Sequence, residues 1–284
     1  MLSSETTLQR CLEVTRHVAC VAGMALALSA CGGGSGQSND GGGVVIPPVT
    51  PPSPTPTPAP GGDAIVVPAA CTIEDSVLNR SGLQIAPVNG TVVAVAIGSS
   101  STAGNGASSP SNGYVAVTQR LLADYTGLGK FAVVNAGVPG DSLSQVRSRL
   151  QRDALAMNPQ LVILQVGVND ATAQPTRAGV DAFRIDFADI VTQIRRKSQL
   201  IIVTGQHYER QPAFYEDYMN AMTQVAEQQN VAVFDRYKLM KRLVSSGKYS
   251  FGNLLAGDLF HPNDVMHRCT GKVLADLVAA SVTK

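Results

Sequence analysis

The chain has 284 residues, and its 22 lysine and arginine side chains nearly balance its 21 aspartates and glutamates, leaving a formal net charge of +1. A balanced chain lacks the basic surface that attracts nucleic acid or an anionic membrane, and no window carries a Walker or GxGxxG motif for phosphate binding. Composition therefore argues against a nucleic-acid partner and against nucleotide chemistry.

The N-terminus has the three parts of an export signal in their usual order. Arg10 and Arg16 precede an apolar run at 18–28, which is too short to span a bilayer and suits the core of a signal peptide. The run ends in the sequence LSAC, which resembles a bacterial lipobox. By that resemblance, residues 1–30 are a lipoprotein signal peptide and Cys31 is lipidated. The alternative is an ordinary secretory signal with an incidental cysteine.

Residues 31–62 have the composition of a spacer. A stretch rich in glycine and serine at 32–43 is typical of a flexible coil, and the proline tract at 47–60 is typical of a stiff polyproline helix. Gly32, rather than an aspartate, follows Cys31, and this resembles the pattern that sorts lipoproteins to the outer membrane of a Gram-negative cell. We therefore expect a cell-envelope protein, anchored to the lipid membrane through Cys31 on the periplasmic or surface face. A disordered tract without a role would have the same composition.

Residues 63–284 are predicted to form a single domain, since about 220 residues suffice for one sizeable α/β core. Apolar segments with strand character occur at 92–97, 131–135, 161–166, 200–204 and 231–234. Amphipathic helical segments alternate with them at 113–125, 142–157, 178–197, 215–229 and 263–282. This alternation predicts a three-layer α/β/α sandwich with a flavodoxin-like parallel sheet of about five strands in the order 2-1-3-4-5.

Candidate site residues follow the first three predicted strands. Ser100 lies just after the first strand, Gly140 after the second and Asn169 after the third. In the order 2-1-3, the second and third turns flank the first at one edge of the sheet, where open α/β folds bind ligands. The N–H groups of Ser100 and Gly140 and the side-chain amide of Asn169 could then donate hydrogen bonds to an oxyanion.

A histidine and an aspartate near the C-terminus supply what a nucleophilic serine requires. A serine hydroxyl needs a base to remove its proton, and His261 can be that base. Asp258, three residues earlier, can accept the other imidazole N–H and fix the tautomer. Pro262 keeps His261 out of helical geometry, so we expect its ring to reach Ser100 from a loop. The pattern predicts acyl transfer by Ser100, His261 and Asp258.

At this point the chain resembles the SGNH hydrolases, also called the GDSL esterase and lipase family. Ser100, Gly140, Asn169 and His261 are the four residues of the family name, in order, over roughly residues 91–283. The resemblance implies esterase or lipase activity without a metal or cofactor. One departure is Ser99, which stands where the family usually has an aspartate outside the triad. Aligning the neighbouring glycines and threonine makes Ser100 the nucleophile.

Several other residues allow two interpretations each. His207 follows the fourth strand, and it either lines the substrate pocket or is a solvated loop residue. Cys71 and Cys269 would form a disulfide in an oxidising envelope, the alternative being two separate buried thiols. The spacing of Asp258, His261, Asp264 and His267 faintly resembles a metal site, but Pro262 interrupts it. Arginines near 147–152 are expected on a solvated helix face, namely Arg147, Arg149 and Arg152.

The sequence thus predicts a serine esterase that cleaves carboxylic esters through an acyl-serine intermediate. Short acyl chains are favoured because the small residues at 104–113, where a lid would lie, suggest a shallow and open site. Two alternatives stay open. The chain could be a carbohydrate O-acetyl esterase, or it could be an envelope lipoprotein that keeps the fold for binding only. The oligomeric state is not readable from the sequence.

Overall fold

The computed structural model describes Cys71 and residues 77–283. The predicted signal peptide at 1–30, lipidation site Cys31 and spacer at 31–62 lie outside the described residues, as does most of the segment before residue 77. Nine α-helices and six strands occur within the described part.

A six-stranded sheet forms the centre of the fold, with the order β1-β6-β5-β4-β2-β3. Its strands are β1 (Leu78–Asn79), β2 (Thr91–Gly98), β3 (Lys130–Gly137), β4 (Leu161–Gln165), β5 (Gln199–Val203) and β6 (Ala232–Phe234). Strands β2 to β6 are parallel, and their order confirms the predicted 2-1-3-4-5 arrangement. The sheet is nevertheless mixed, since β1 pairs antiparallel with β6. That edge strand has only two residues, too few to show a periodic pattern in sequence.

The helices are α1 (Ser100–Ala103), α2 (Tyr114–Ala123), α3 (Leu143–Asp153), α4 (Val168–Ala173), α5 (Arg177–Arg195), α6 (Tyr215–Gln228), α7 (Arg236–Ser245), α8 (Phe251–Leu254) and α9 (Asp264–Ser281). All five predicted helices are present. The one expected at 142–157 ends as α3 and is followed by a 3₁₀ turn at Leu155–Met157. Sequence analysis missed α1, α4, α7 and α8, because the first, second and last are short and α7 follows β6 almost without a connection.

Burial explains why the apolar segments became strands or helices. Strand β4 is buried along its whole length and β2 along nearly all of it, as expected for interior parallel strands covered on both faces. Helix α5 buries one stripe of apolar residues at spacings of three and four, from Val180 to Ile194. Helices α2 and α9 pack together, as do α5 and its neighbours α3 and α6. These two groups are the outer layers of the predicted α/β/α sandwich.

Register brings three strand ends to one place. Gly98 at the end of β2 is opposite Gly137 of β3 on one side and Gln165 of β4 on the other. Side chains are excluded there, because a Cβ on Gly137 would lie 2.2 Å from the backbone nitrogen of Ala103. Helix α1 therefore rests directly on the end of β3, which fixes the position of Ser100.

The segment before β2 is joined to the C-terminus. Ile85 forms a parallel bridge with Val282, and its N–H donates to the carbonyl of Ser281 over 2.8 Å. Cys71 is bonded to Cys269 of α9 in a disulfide whose Cα atoms are 5.0 Å apart. The first described residues are thus held against the helix that follows His261.

Candidate active site

Ser100 is the first residue of α1, immediately past the end of β2. The preceding Ser99 has extended backbone (φ −96°, ψ −150°), so the chain turns sharply from strand into helix at this point. The Ser100 side chain faces the loop that carries His261, and the residue is 9% exposed. A position at a helix N-terminus also presents free N–H groups and a favourable dipole to developing negative charge.

An unbroken chain of hydrogen bonds joins Ser100, His261 and Asp258. The hydroxyl oxygen of Ser100 lies 3.0 Å from His261 Nε2, and His261 Nδ1 lies 2.6 Å from Asp258 Oδ2. The other carboxylate oxygen, Oδ1, accepts the backbone N–H groups of Phe260 and His261, each over 3.0 Å. The structure thus brings together three residues that the sequence analysis grouped and that are separated by up to 161 positions.

Asp258 is held as a carboxylate. Partial burial alone would raise its pKa, but the hydrogen bonds from the His261 ring and from two backbone N–H groups outweigh this and lower the pKa below its usual range. Because the Asp258 carboxylate can only accept a hydrogen bond, the neutral imidazole carries its proton on Nδ1. Its Nε2 is then free to accept a proton.

The loop around His261 packs directly on the segment that follows α1. A Cβ on Gly106 would lie 2.3 Å from the carbonyl oxygen of Pro262 and 2.8 Å from the Cβ of His261. Asn263 then caps α9 by accepting the N–H groups of Val265 and Met266. This close contact positions the imidazole opposite Ser100.

Gly140 and Asn169 lie in the two turns that flank Ser100. The turn after β3 is tied to β2 by the Val138 N–H, which donates to the carbonyl of Gly98 over 2.9 Å. The turn after β4 is tied to the turn after β3 by the Asn169 Nδ2, which donates to the carbonyl of Asp141 over 2.8 Å. Within residues 77–283, no acceptor takes the N–H of Ser100 or of Gly140. Both N–H groups are therefore available to a ligand.

Asp170 is a site residue that sequence reasoning did not assign. Its carboxylate accepts the N–H groups of Leu143 at 3.0 Å and of Gly167 at 3.1 Å, which joins the start of α3 to the start of α4. Burial raises the pKa of this carboxyl, and the two N–H donors oppose the rise. The signal available in the sequence was the position of Asp170 directly after Asn169.

The prediction that Arg149 lies on a solvated face is wrong. Arg149 is 7% exposed, and its Nε bonds Asp141 Oδ2 over 2.6 Å. Its Nη1 and Nη2 donate to the carbonyls of Ala136 and Gly98 over 2.7 Å and 2.9 Å. The side chain thus ties together the ends of β3 and β2 beneath the site. Charge pattern alone could not reveal this, since Arg147 on the same helix is only half-buried and Arg152 is exposed.

Of the three consecutive serines, only Ser100 contacts His261. The Ser99 hydroxyl donates to Gln165 Oε1 over 3.1 Å, and the Ser101 hydroxyl donates to Gln206 Oε1 over 3.4 Å. Both are almost completely buried. The hydroxyl of Ser99, at the position where the GDSL motif has an aspartate, therefore bonds within the protein.

His207 lies apart from this group. Its Nδ1 is 2.6 Å from Gln211 Nε2, and its ring packs edge-on against Tyr237 and tilted against Phe251. Burial and the nearby Lys241 lower its pKa. None of its contacts in the described chain involves Ser100, Asp258 or His261. Its role in a substrate pocket stays a prediction.

The side chains whose spacing resembled a metal site do not converge on one point. Asp264 accepts from the backbone and hydroxyl of Ser108, whereas His267 Nε2 donates to the carbonyl of Asn105. No group of three or more His, Cys, Asp or Glu side chains in the described residues is arranged to hold a metal ion. Among those same residues no helix combines the length and the hydropathy needed to cross a bilayer.

Comparison with known proteins adds the family. The model of the non-GDSL lipase-like family matches residues 65–284. The chain belongs to this family. Its name agrees with the serine at position 99, where the GDSL motif would place an aspartate.

Relatives of known activity are ester hydrolases. An acetylxylan esterase of Geobacillus stearothermophilus is 26% identical over 169 residues, which cover 55% of this chain and 75% of that protein. The crystal structure of Axe2, an acetylxylan esterase of the same organism, has a TM-score of 0.58 and 21% identity over 69% of this chain and 96% of its own. A lipase/acylhydrolase of Enterococcus faecalis has a TM-score of 0.53 and 25% identity, covering 66% and 94%. The chain is a carboxylic ester hydrolase of the SGNH type, as the sequence predicted.

Proposed function

We propose that the protein is a serine esterase in which Ser100 is the nucleophile, His261 the general base and acid, and Asp258 the residue that orients His261. The observation that carries the proposal is the continuous hydrogen-bond chain from the Ser100 hydroxyl through the imidazole to the Asp258 carboxylate. The N–H groups of Ser100 and Gly140 and the amide of Asn169 are proposed to form the oxyanion hole.

The reaction follows from these positions. As Ser100 Oγ attacks the ester carbonyl carbon, its proton moves to His261 Nε2, 3.0 Å away. The carbonyl π bond breaks, and the resulting oxyanion accepts hydrogen bonds from the three donors. Collapse of this intermediate breaks the ester C–O bond, and His261 returns the proton to the leaving alkoxide. Water then attacks the acyl-serine by the same route and releases the acid.

Short acyl chains are the proposed substrates of this site. Support comes from the small residues at 104–113, among which Gly106 lies so close to His261 that a Cβ there would be 2.8 Å from the His261 Cβ. A second candidate is a carbohydrate O-acetyl ester, favoured by the similarity to an acetylxylan esterase. Both substrates require the same chemistry and differ only in the alcohol that leaves.

The test is hydrolysis of p-nitrophenyl acetate, butyrate and octanoate by the wild type, Ser100→Ala and Ser99→Ala. We expect Ser100→Ala to lower kcat/KM by about a thousandfold or more, because the residual oxyanion hole cannot replace the nucleophile. Ser99→Ala is the matched control and should keep activity, since its hydroxyl bonds Gln165 instead. Loss of activity in Ser99→Ala alone would contradict the assignment.

The alcohol part of the substrate is tested by comparing p-nitrophenyl acetate with acetylated xylo-oligosaccharides. A kcat/KM that is at least tenfold higher for the oligosaccharide would favour the carbohydrate esterase. A folded wild type that hydrolyses neither ester would contradict both candidates. The remaining alternative would then be an envelope lipoprotein that keeps the fold for binding only.

We further propose that the esterase is anchored to the bacterial envelope through lipidated Cys31, at the outer membrane. The support is the lipobox-like LSAC sequence after a signal-peptide core. Incorporation of labelled palmitate by the full chain, and its loss in Cys31→Ser, tests this. Equal labelling of both chains would contradict it.

A further inference from the structure

Arg236 is a completely buried cation close to the proposed nucleophile. It is the first residue of α7 and is 0% exposed. Its Nη2 lies 3.2 Å from Gln206 Oε1 and 3.5 Å from the hydroxyl of Ser101, the residue next to Ser100. Within the described chain, its Nε and Nη1 have no hydrogen-bond partner. Both groups that Arg236 contacts are neutral.

No carboxylate neutralises this guanidinium among the described residues. The adjacent Asp235 instead accepts the Thr204 hydroxyl at 3.0 Å and the Lys238 N–H at 3.1 Å. The titratable side chains that interact with Arg236 are two phenols and one imidazole, those of Tyr114, Tyr215 and His267. An unpaired buried charge costs folding free energy, and a cation at a helix N-terminus also opposes the helix dipole.

The charge persists under working conditions despite this cost. Burial lowers the pKa of Arg236 to about 10, which leaves the side chain cationic at neutral pH. Since water is excluded around it, the field of the cation is weakly screened and reaches the neighbouring α1. Its contact in α1 is Ser101, which directly follows the proposed nucleophile.

We propose that Arg236 is an internal cation that stabilises the oxyanion formed at Ser100 through the field it exerts across α1. The inference rests on the proposed function of Ser100. Arg236 is completely buried and its hydrogen bonds go to Ser101 and Gln206, so in this proposal it acts as a positioning and electrostatic residue. It stabilises the transition state more than the neutral ground state, because negative charge appears on the carbonyl oxygen only as the bond to Ser100 forms.

A purely structural role for Arg236 makes different predictions. If the residue only held Ser101 and Gln206 in place, replacing it would lower stability and raise KM, and a charge-preserving substitution would not restore the rate selectively. The electrostatic role predicts the opposite combination. Removing the charge should lower kcat while leaving the fold as stable as before or more so, because an unpaired buried cation is lost.

The experiment measures kcat, KM and urea unfolding of the full chain with p-nitrophenyl acetate, comparing wild type, Arg236→Met and Arg236→Lys. We expect Arg236→Met to lower kcat about tenfold with KM within about twofold of wild type and an unchanged or higher unfolding midpoint. Arg236→Lys should recover most of the rate. Lys238→Met, which removes an exposed cation from the same helix, is the matched control and should leave kcat unchanged.

Two further measurements separate charge from packing. Phenylboronic acid forms an anionic tetrahedral adduct with an active serine, so its inhibition constant should rise in Arg236→Met by the same factor as kcat falls. In Arg236→Lys the rate should decline as pH rises from 7 to 9, while wild type keeps its rate, because a buried lysine loses its proton at lower pH than Arg236, whose pKa is about 10. This pH profile decides the question if Arg236→Met does not fold.

Wild-type kcat in Arg236→Met, or a pH profile of Arg236→Lys identical to wild type, would overturn the inference while leaving the esterase proposal intact. Failure of the esterase proposal is recognised separately. In that case, wild type and Ser100→Ala would hydrolyse the ester at the same rate.

Discussion

His267 shows how a single buried side chain holds the nucleophile loop. Its Nδ1 accepts the backbone N–H of Tyr114 over 3.1 Å, and its Nε2 donates to the carbonyl of Asn105 over 3.0 Å. Asn105 in turn donates its N–H to the carbonyl of Ser100. Only the neutral imidazole with its proton on Nε2 can make both bonds, and burial lowers the pKa of His267 to about 4.

This neutral histidine predicts a specific dependence of stability on pH. The unfolded chain protonates His267 near pH 6.5, whereas the native chain does so near pH 4. Between these values the unfolded state binds more protons, so this group's contribution to stability is present above pH 6.5 and is lost as the pH falls. We expect the free energy of unfolding to drop by about 3 kcal/mol from pH 7.5 to pH 4 through this residue.

Urea unfolding at several pH values checks this expectation, with His267→Gln as the matched variant. Glutamine can keep one donor and one acceptor in the same place but does not titrate. The stability difference between wild type and His267→Gln should therefore shrink as the pH falls. Parallel stability curves for the two proteins would show that His267 does not carry the effect.

At the scale of the elements, Arg149 joins structures that the site needs in register. The guanidinium pairs with Asp141 and bonds the carbonyl of Gly98 at the end of β2 and that of Ala136 near the end of β3, while Asn169 bonds the carbonyl of Asp141. A change at Arg149 therefore reaches both turns that flank Ser100. Both side chains of the pair are buried, so neither can be solvated by water when the other is removed.

We expect Arg149→Ala to destabilise the protein by about 3–5 kcal/mol, because Asp141 is left buried without its partner. Arg149→Met with Asp141→Asn should recover part of this loss, since neither buried charge remains. Arg152→Ala on the same helix is the control and should change stability little, because that side chain is largely solvated. Urea unfolding measures all three, and an equal effect of Arg149→Ala and Arg152→Ala would contradict the buried clamp.

The same elements show what a sequence can and cannot predict. The order of strands β2 to β6 follows from alternating periodicity and the handedness of crossovers, and it was sufficient to bring Ser100, Gly140 and Asn169 to one edge. Arg149 and Arg236 could not be predicted in the same way. An arginine on an amphipathic helix, such as Arg149, is expected to be solvated, and its burial depends on the tertiary path of neighbouring turns. Arg236 begins α7, a helix that the sequence did not predict. The role of Asp170 was missed for a similar reason, since its partner Leu143 is distant in sequence.

At the scale of the whole molecule, α9 connects the site with both ends of the described chain. Its N-terminus follows His261, its centre carries Cys269, and its last residue accepts a hydrogen bond from Ile85. The disulfide from Cys269 to Cys71 closes a loop of 198 residues that contains nearly the entire domain. Such a crosslink restricts the unfolded chain much more than it changes the folded one.

Because of this topology, the disulfide should contribute strongly to stability. By the chain-entropy relation, removing a crosslink across so long a loop should destabilise the protein by about 5 kcal/mol, and we expect a loss of this order when dithiothreitol reduces the wild type. Cys71→Ala with Cys269→Ala should have the same lowered stability and should no longer respond to dithiothreitol. Ester hydrolysis well below the unfolding temperature should continue in both, because no contact among Ser100, His261 and Asp258 passes through the disulfide. A reduced wild type that unfolds at the same urea concentration as the oxidised form would show that the two ends of the chain are held without the bond, whereas an immediate loss of hydrolysis on reduction would show that α9 needs the bond to keep His261 in place.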